Sequence, residues 1–143
     1  GSKMINAVAN STVPHISIIL ASSYGAGNYA MSGRAFGTRF TFVWPLAKIA
    51  VMGPKQMAGV MSIVGRAAAE RKGIDFDEEA DAARAKIAEH WAEERSKGLY
   101  ATSRIADDGM IDPRDTREVI AICLSSLSSN VVKGTKEFGT WRM

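Results

Sequence analysis

The chain is short of the residues on which most metal and nucleophile chemistry depends: it has one cysteine and two histidines in 143 residues. A lone Cys123 cannot form an internal disulfide, so a reducing cytoplasm or organelle matrix is the expected compartment. It lies in VIAICLSSL, an apolar helical stretch, and reads as a core residue rather than a nucleophile. His15 and His90 stand far apart with no further ligands at metal spacing, which argues against a metal site. No apolar run approaches the roughly 18 residues that a membrane span needs, and no secretory leader is recognisable. There is no repeat and no low-complexity tract. Acids are nearly missing from one half: residues 1–74 carry eight Lys/Arg and one acid, Glu70, whereas residues 75–143 carry ten Lys/Arg and fourteen acids. The basic half lacks the dense clusters and interleaved aromatics of a nucleic-acid platform. Its plain reading is solvated surface; the sharper one is attraction for an anionic ligand such as a nucleotide-bearing coenzyme.

What is present is an alternation of strand and helix patterns. Gly1 and Ser2 have the character of a tag remnant and are set aside. KMINAVANS places Met4, Ile5 and Val8 at helical spacing. It has no capping signal, which reads as an element already under way and a natural chain extending upstream. After Pro14, HISIILA is short, β-rich and apolar on both faces, as in a strand covered on both sides. SYGAGN is the turn, and NYAMSGRAF reads as a short helix ending near Gly37. RFTFVW and KIAVM are two further strands around Pro45, with Trp44 in the extended geometry that precedes proline. A helix opens after Gly53 at Pro54, and Met57, Val60, Met61 and Val64 form its expected core face. From Asp75 to Gly98 a charged helix is predicted, with the stripe Phe76, Ala80, Ala83, Ile87 and Trp91. Acids dominate its start and Arg95 and Lys97 its end, matching the helix dipole. Asp108-Gly109 marks a turn followed by a short strand. Asp112 and Pro113 then cap and open a last helix. Phe138 and Trp141 are expected to anchor the tail. This alternation predicts an α/β layered fold.

The stretch Ser23 to Met31, SYGAGNYAM, holds no acid, base or thiol, yet it sits where a strand feeds a helix. Such a start leaves backbone N–H groups unpaired at the positive end of the helix. Those groups can hold an anion or a developing oxyanion without any side chain. Gly25, Ala26 and Gly27 keep the approach clear. Tight packing at the turn is the plainer explanation of the same small residues. The spacing matches neither a phosphate loop nor a dinucleotide fingerprint. Asp107 and Asp108, adjacent in a turn, read as turn formers rather than an acid–base pair. Arg104, Arg114 and Arg117 read as partners in helix-surface ion pairs.

KMINAVANSTVPHISIILASSYGAGNYAMSGRAF, RFTFVWPLAKIAVMGPKQMAGV, DDGMIDPRDTR and the closing EFGTWRM together resemble the C-terminal part of the carboxyltransferase β subunit of biotin-dependent acyl-CoA carboxylases. The turn YGAGNY is similar to the 3-methylcrotonyl-CoA and geranyl-CoA branch; the propionyl-CoA branch has YGGAYD there. The resemblance implies a crotonase-like β-β-α layered fold. Residues 3–143 would form part of the biotin-side domain, and an upstream CoA-binding domain would lie outside the chain. It also implies an oxyanion hole on the backbone amides of Ala26 and Gly27. Gly25 would shape the turn, Tyr24 and Asn28 would flank it, and Met52 and Gly53 would form a nearby stretch of wall.

The implied reaction moves CO₂ from carboxybiotin to an acyl-CoA, with biotin's own nitrogen taking the proton, so the absence of a side-chain base is what such chemistry requires. Biotin would arrive on a partner protein or domain, with biotin carboxylase and biotin carrier subunits and a β hexamer as companions. Neither nucleic acid nor membrane is an expected partner. The expected compartment is the bacterial cytoplasm or the mitochondrial matrix. Two other readings stay open: a non-catalytic crotonase-like assembly module, and the carboxyltransferase of a biotin-dependent decarboxylase.

Overall fold

Two β-rich stretches lie side by side and run in the same direction. The computed structural model describes residues 1–134 and residue 139. The first stretch supplies β1 (Ile16–Ile19) and β2 (Ser22–Tyr24); the second supplies β3 (Phe40–Val43) and β4 (Lys48–Ala50). β1 pairs in parallel with β3, and β2 with β4. Parallel neighbours need a crossover, which α2 (Ala26–Ala30) and a 3-10 turn at Arg34–Phe36 provide. The expected single helix over NYAMSGRAF is therefore split, and buried Ser32, at φ 61, marks the break. Ile16 pairs with Phe40 but Ser22 with Lys48, so the second stretch spends two more residues between its strands than the first. Pro45, which cannot donate to a ladder, falls in that surplus. Trp44 N–H donates to the Ile19 carbonyl at 2.9 Å and Lys48 N–H to Ala21 at 3.1 Å, which keeps the stretches joined across the gap.

A third segment runs along the other edge of β3. Asp108 N–H donates to the Thr41 carbonyl at 2.7 Å, and Ile111 N–H to Val43 at 2.9 Å. The short strand expected after Gly109 is reduced to a single parallel bridge between Val43 and Met110. The HISIILA strand is half-buried along β1 rather than sealed on both faces. Val43 and Ser96 are fully buried and Ala47 is nearly so. Cys123 is buried as expected, and burial pushes its thiol pKa up, with the charge of Asp108 adding to the effect.

The helices begin and end where local chemistry dictates. α1 (Ser2–Asn10) stops at Ser11, ahead of Pro14. α3 (Pro54–Lys72) opens on proline after Gly53 and closes on Gly73 at φ 64, whose N–H returns to the last turn. α4 (Glu78–Ser96) opens on Asp77, whose carboxylate accepts the Ala80 N–H at 2.9 Å. The acidic first turn and Arg95 in the last follow the dipole as expected. Lys97 leaves helical geometry at ψ 141, and a short α5 (Gly98–Ser103) follows that the sequence pattern does not announce. Gly98 is buried there, and an added Cβ would lie 3.1 Å from the Ala47 carbonyl oxygen. The last helix starts as expected: Asp112 accepts the Arg114 N–H at 2.8 Å and Pro113 opens a 3-10 turn, which passes into α6 (Thr116–Leu127). Phe138 and Trp141 lie outside the described residues.

The α3–α4 hairpin corrects the expected packing faces. Ala58, Met61, Ser62, Gly65 and Ala69 of α3 line a seam with Asp81, Arg84, Ala85 and Ala88 of α4. Small residues dominate it and let the two helix backbones approach closely. Met57, Val60, Met61 and Val64 are exposed rather than core. Of the α4 stripe, Ile87 and Trp91 are 59% and 55% exposed, and Ala83 is exposed as well. Phe76 stays at the elbow of the hairpin, with the Arg66 guanidinium 4.7 Å above its ring.

Candidate functional site

The turn after β2 is held by its neighbour strand. Tyr24 pairs with Ala50, and Gly25 N–H donates to the Ala50 carbonyl at 3.0 Å. Gly25 adopts φ 61, ψ −141, a conformation reserved for glycine. An added Cβ there would also meet the Val51 carbonyl oxygen at 3.1 Å. The chain then enters α2. Asn28 N–H closes on the Gly25 carbonyl at 3.1 Å and Met31 N–H on Gly27 at 3.1 Å. That pattern leaves the amides of Ala26 and Gly27 over: no backbone carbonyl among the described residues accepts from either. Both residues are exposed, and nothing lies within 4 Å of a Cβ built on Gly27.

The parallel register brings the other candidates to the same place. Gly53, buried, sits beside the Tyr24 ring, 3.7 Å from Tyr24 Cδ2 to a Cβ built on Gly53. Met52 lies between Gly53 and Val51 and is partly exposed. Behind the turn is a cleft of about 320 Å³ whose lining includes Gly25, Asn28, Arg34, Thr41 and Val51. Ala26 and Gly27 do not line it. α2 has five residues, so the available N–H groups count for more here than any macrodipole.

The turn carries no acid or base, and the nearest charges are engaged elsewhere. Lys48 on β4 is hydrogen-bonded to Glu93 of α4, which raises its pKa and keeps it cationic. Asp107 accepts the Thr102 hydroxyl and the Gly109 N–H, each at 3.0 Å, and is a structural residue. Asp108 accepts from Arg34 at 2.9 Å and from the Thr41 N–H at 2.8 Å. Arg114 pairs with Asp112 at 2.7 Å, and Arg104 stacks over Tyr100. His15 is hydrogen-bonded to Ser32 Oγ at 2.8 Å and to Ser11 Oγ at 3.0 Å. His90 is exposed beside Trp91. No cluster that could hold a metal ion occurs among the described residues, and no described helix is long and apolar enough to cross a membrane. Sequence reasoning passed over Arg34, since nothing in its local pattern links it to Asp108.

A family described as the carboxyl transferase domain matches residues 1–140. The chain is 55% identical, over its whole length, to a probable biotin-dependent acyl-coenzyme A carboxylase beta2 subunit of Mycobacterium tuberculosis, of which it covers 27%. It is 45% identical to the mitochondrial methylcrotonoyl-CoA carboxylase beta chain of Arabidopsis thaliana, covering all of this chain and 24% of that one. Among solved structures, the beta subunit of P. aeruginosa geranyl-CoA carboxylase superposes with a TM-score of 0.78 at 38% identity, over 99% of this chain and 27% of that one. The 12S transcarboxylase core, solved as a hexamer assembly, superposes with a TM-score of 0.73 at 31% identity, over 98% and 25%. The chain thus spans about a quarter of the length of these relatives.

Proposed function

Because this chain belongs to the carboxyl transferase domain family, with the α/β crotonase-like fold of its structural neighbours, we propose that it is the C-terminal part of a carboxyltransferase β subunit. The enzyme would move CO₂ from carboxybiotin to an acyl-CoA of the 3-methylcrotonyl-CoA kind. Carboxybiotin, when bound, supplies the carboxyl group and a ureido nitrogen able to take up a proton. The amides of Ala26 and Gly27 would hold its ureido oxygen and would supply hydrogen bonds to negative charge there, while Gly25, bonded to the Ala50 carbonyl, anchors the turn. Tyr24, Asn28, Met52 and Gly53 border the site. The donor set fits such a ligand because no backbone carbonyl among the described residues accepts from either amide, both residues are exposed, and nothing lies within 4 Å of a Cβ built on Gly27.

The observation that carries this reading is the pair of unclaimed amides. The exposure of both residues leaves the remaining walls to the CoA-binding domain and to a second subunit of a β hexamer. Biotin would come on a carrier subunit served by a biotin carboxylase. A bacterial cytoplasm or mitochondrial matrix suits both kinds of relative.

The test is Gly27→Pro in the full-length subunit, which removes one donor. Carboxyl transfer is expected to fall by roughly 10²–10³-fold with assembly and melting temperature unchanged. Unchanged turnover in a folded Gly27→Pro enzyme rejects the oxyanion role.

A further inference from the structure

The segment that follows α2 is tied to the sheet by a short chain of contacts. The Ser32 hydroxyl shares hydrogen bonds with His15 Nδ1 at 2.8 Å and with Thr38 Oγ1 at 2.7 Å. Gly33 comes next, with an ordinary backbone but no room: an added Cβ would lie 2.5 Å from Asn28 Oδ1 and 2.8 Å from the Asn28 carbonyl oxygen. Arg34 follows, and its Nη1 donates to Asp108 Oδ2 at 2.9 Å. The same carboxylate oxygen accepts the Thr41 N–H at 2.8 Å, while Asp108 N–H donates to the Thr41 carbonyl at 2.7 Å. Asp108 therefore links β3 to Arg34, and the adjacent Gly33 lies close beside Asn28. Asn28 N–H is the group that closes the catalytic turn on the Gly25 carbonyl.

An isolated exposed ion pair contributes little to stability. This one differs in geometry: it joins elements 74 residues apart, and its acceptor oxygen is shared with a strand N–H. Its value lies in direction, since oxyanion donors act only when aimed at the developing charge.

We propose that Arg34, acting through Asp108, is a positioning residue for carboxyl transfer that holds Gly33 against Asn28 and so aims the amides of Ala26 and Gly27. The inference rests on the oxyanion reading of the turn. The test uses the full-length subunit assembled with its biotin-bearing partner, carrying Arg34→Leu, Arg34→Lys or Gly33→Ala. Arg34→Leu is expected to lower kcat by about 10- to 100-fold, the scale of a small misplacement. KM for the acyl-CoA should stay within about twofold, as for an interaction that acts in the transition state. Arg34→Lys, which keeps a cation for a single-oxygen contact, should recover most of the loss. Gly33→Ala, which presses on Asn28 directly, should reproduce the loss in kcat alone.

Full kcat in Arg34→Leu overturns the proposal, as does a loss confined to KM or one that lysine does not relieve. Should Arg34→Leu fail to assemble, Gly33→Ala decides: a fall in kcat with assembly intact supports the positioning role, and full kcat overturns it. Gly27→Pro run alongside separates the two readings. Full turnover there removes the oxyanion role itself, whereas an inactive Gly27→Pro beside a fully active Arg34→Leu removes only the positioning role.

Discussion

Gly25 answers to two constraints at once. Its φ of 61 with ψ of −141 lies outside the range of other residues, and a Cβ would stand 3.1 Å from the Val51 carbonyl oxygen. Gly25→Ala should cost about 1–3 kcal/mol of local stability, the scale of a strained backbone position. It should also abolish carboxyl transfer, because the bond to Ala50 sets where α2 begins. Melting temperature and turnover of the full-length enzyme check both. A variant with normal values for each would show that the turn tolerates a different path. The neighbouring Gly27 contrasts with it, for no crowding demands glycine there. That difference separates a residue kept for its shape from one kept for the space in front of it. The seven candidate site residues were legible through the family resemblance, and the unclaimed amides follow from strand–helix geometry. Asp108 was legible only as a turn former and Arg34 not at all, because their link spans 74 residues and no local pattern encodes it.

The helices show which kinds of information are local. Pro54 announces the start of α3, and the structure places it there; the charged helix expected from Asp75 instead begins at Glu78, where the Asp77 carboxylate caps it. Asp77→Ala should cost about 1 kcal/mol, the usual value of an N-cap. The loss should be confined to the first turn of α4, read as faster hydrogen exchange at Ala80 and its neighbours. Unaltered exchange would mean that the cap is redundant. The packing faces were not legible. Hydrophobic periodicity marks Met57, Val60 and Ile87 as a face to be covered, but says nothing of what covers it. Among the described residues that face is exposed, and small residues dominate the helix–helix seam. α5 escaped notice because it is short, and its start is fixed by the approach of Gly98 to Ala47, a contact that no local pattern encodes.

At the scale of the molecule, exposed Met57, Val60, Met61, Val64, Ile87 and Trp91 give the hairpin a large apolar surface. Such surfaces mark contact with further polypeptide. The chain alone should self-associate: size-exclusion chromatography is expected to show species larger than the monomer. A sharp monomer peak with cooperative melting would count against this. Introducing a charge with Val64→Lys should shift the distribution toward smaller species. The α/β class and the order of strands and helices could be read from the sequence. The division of the second β stretch around Pro45 could be read as well; that of the first into β1 and β2 could not, because it reflects how the two stretches meet rather than what the first contains.

The division around Pro45 has a consequence for the length of the link from Trp44 to Ala47. Leu46 is 87% exposed and makes little use of its side chain here, yet its presence acts as a spacer. It decides which oxygen β4 presents to Gly25. Another residue could stand in its place, but deleting it would slide β4 one step, turn Lys48 and Ala50 to the opposite face, and offer the turn a different carbonyl.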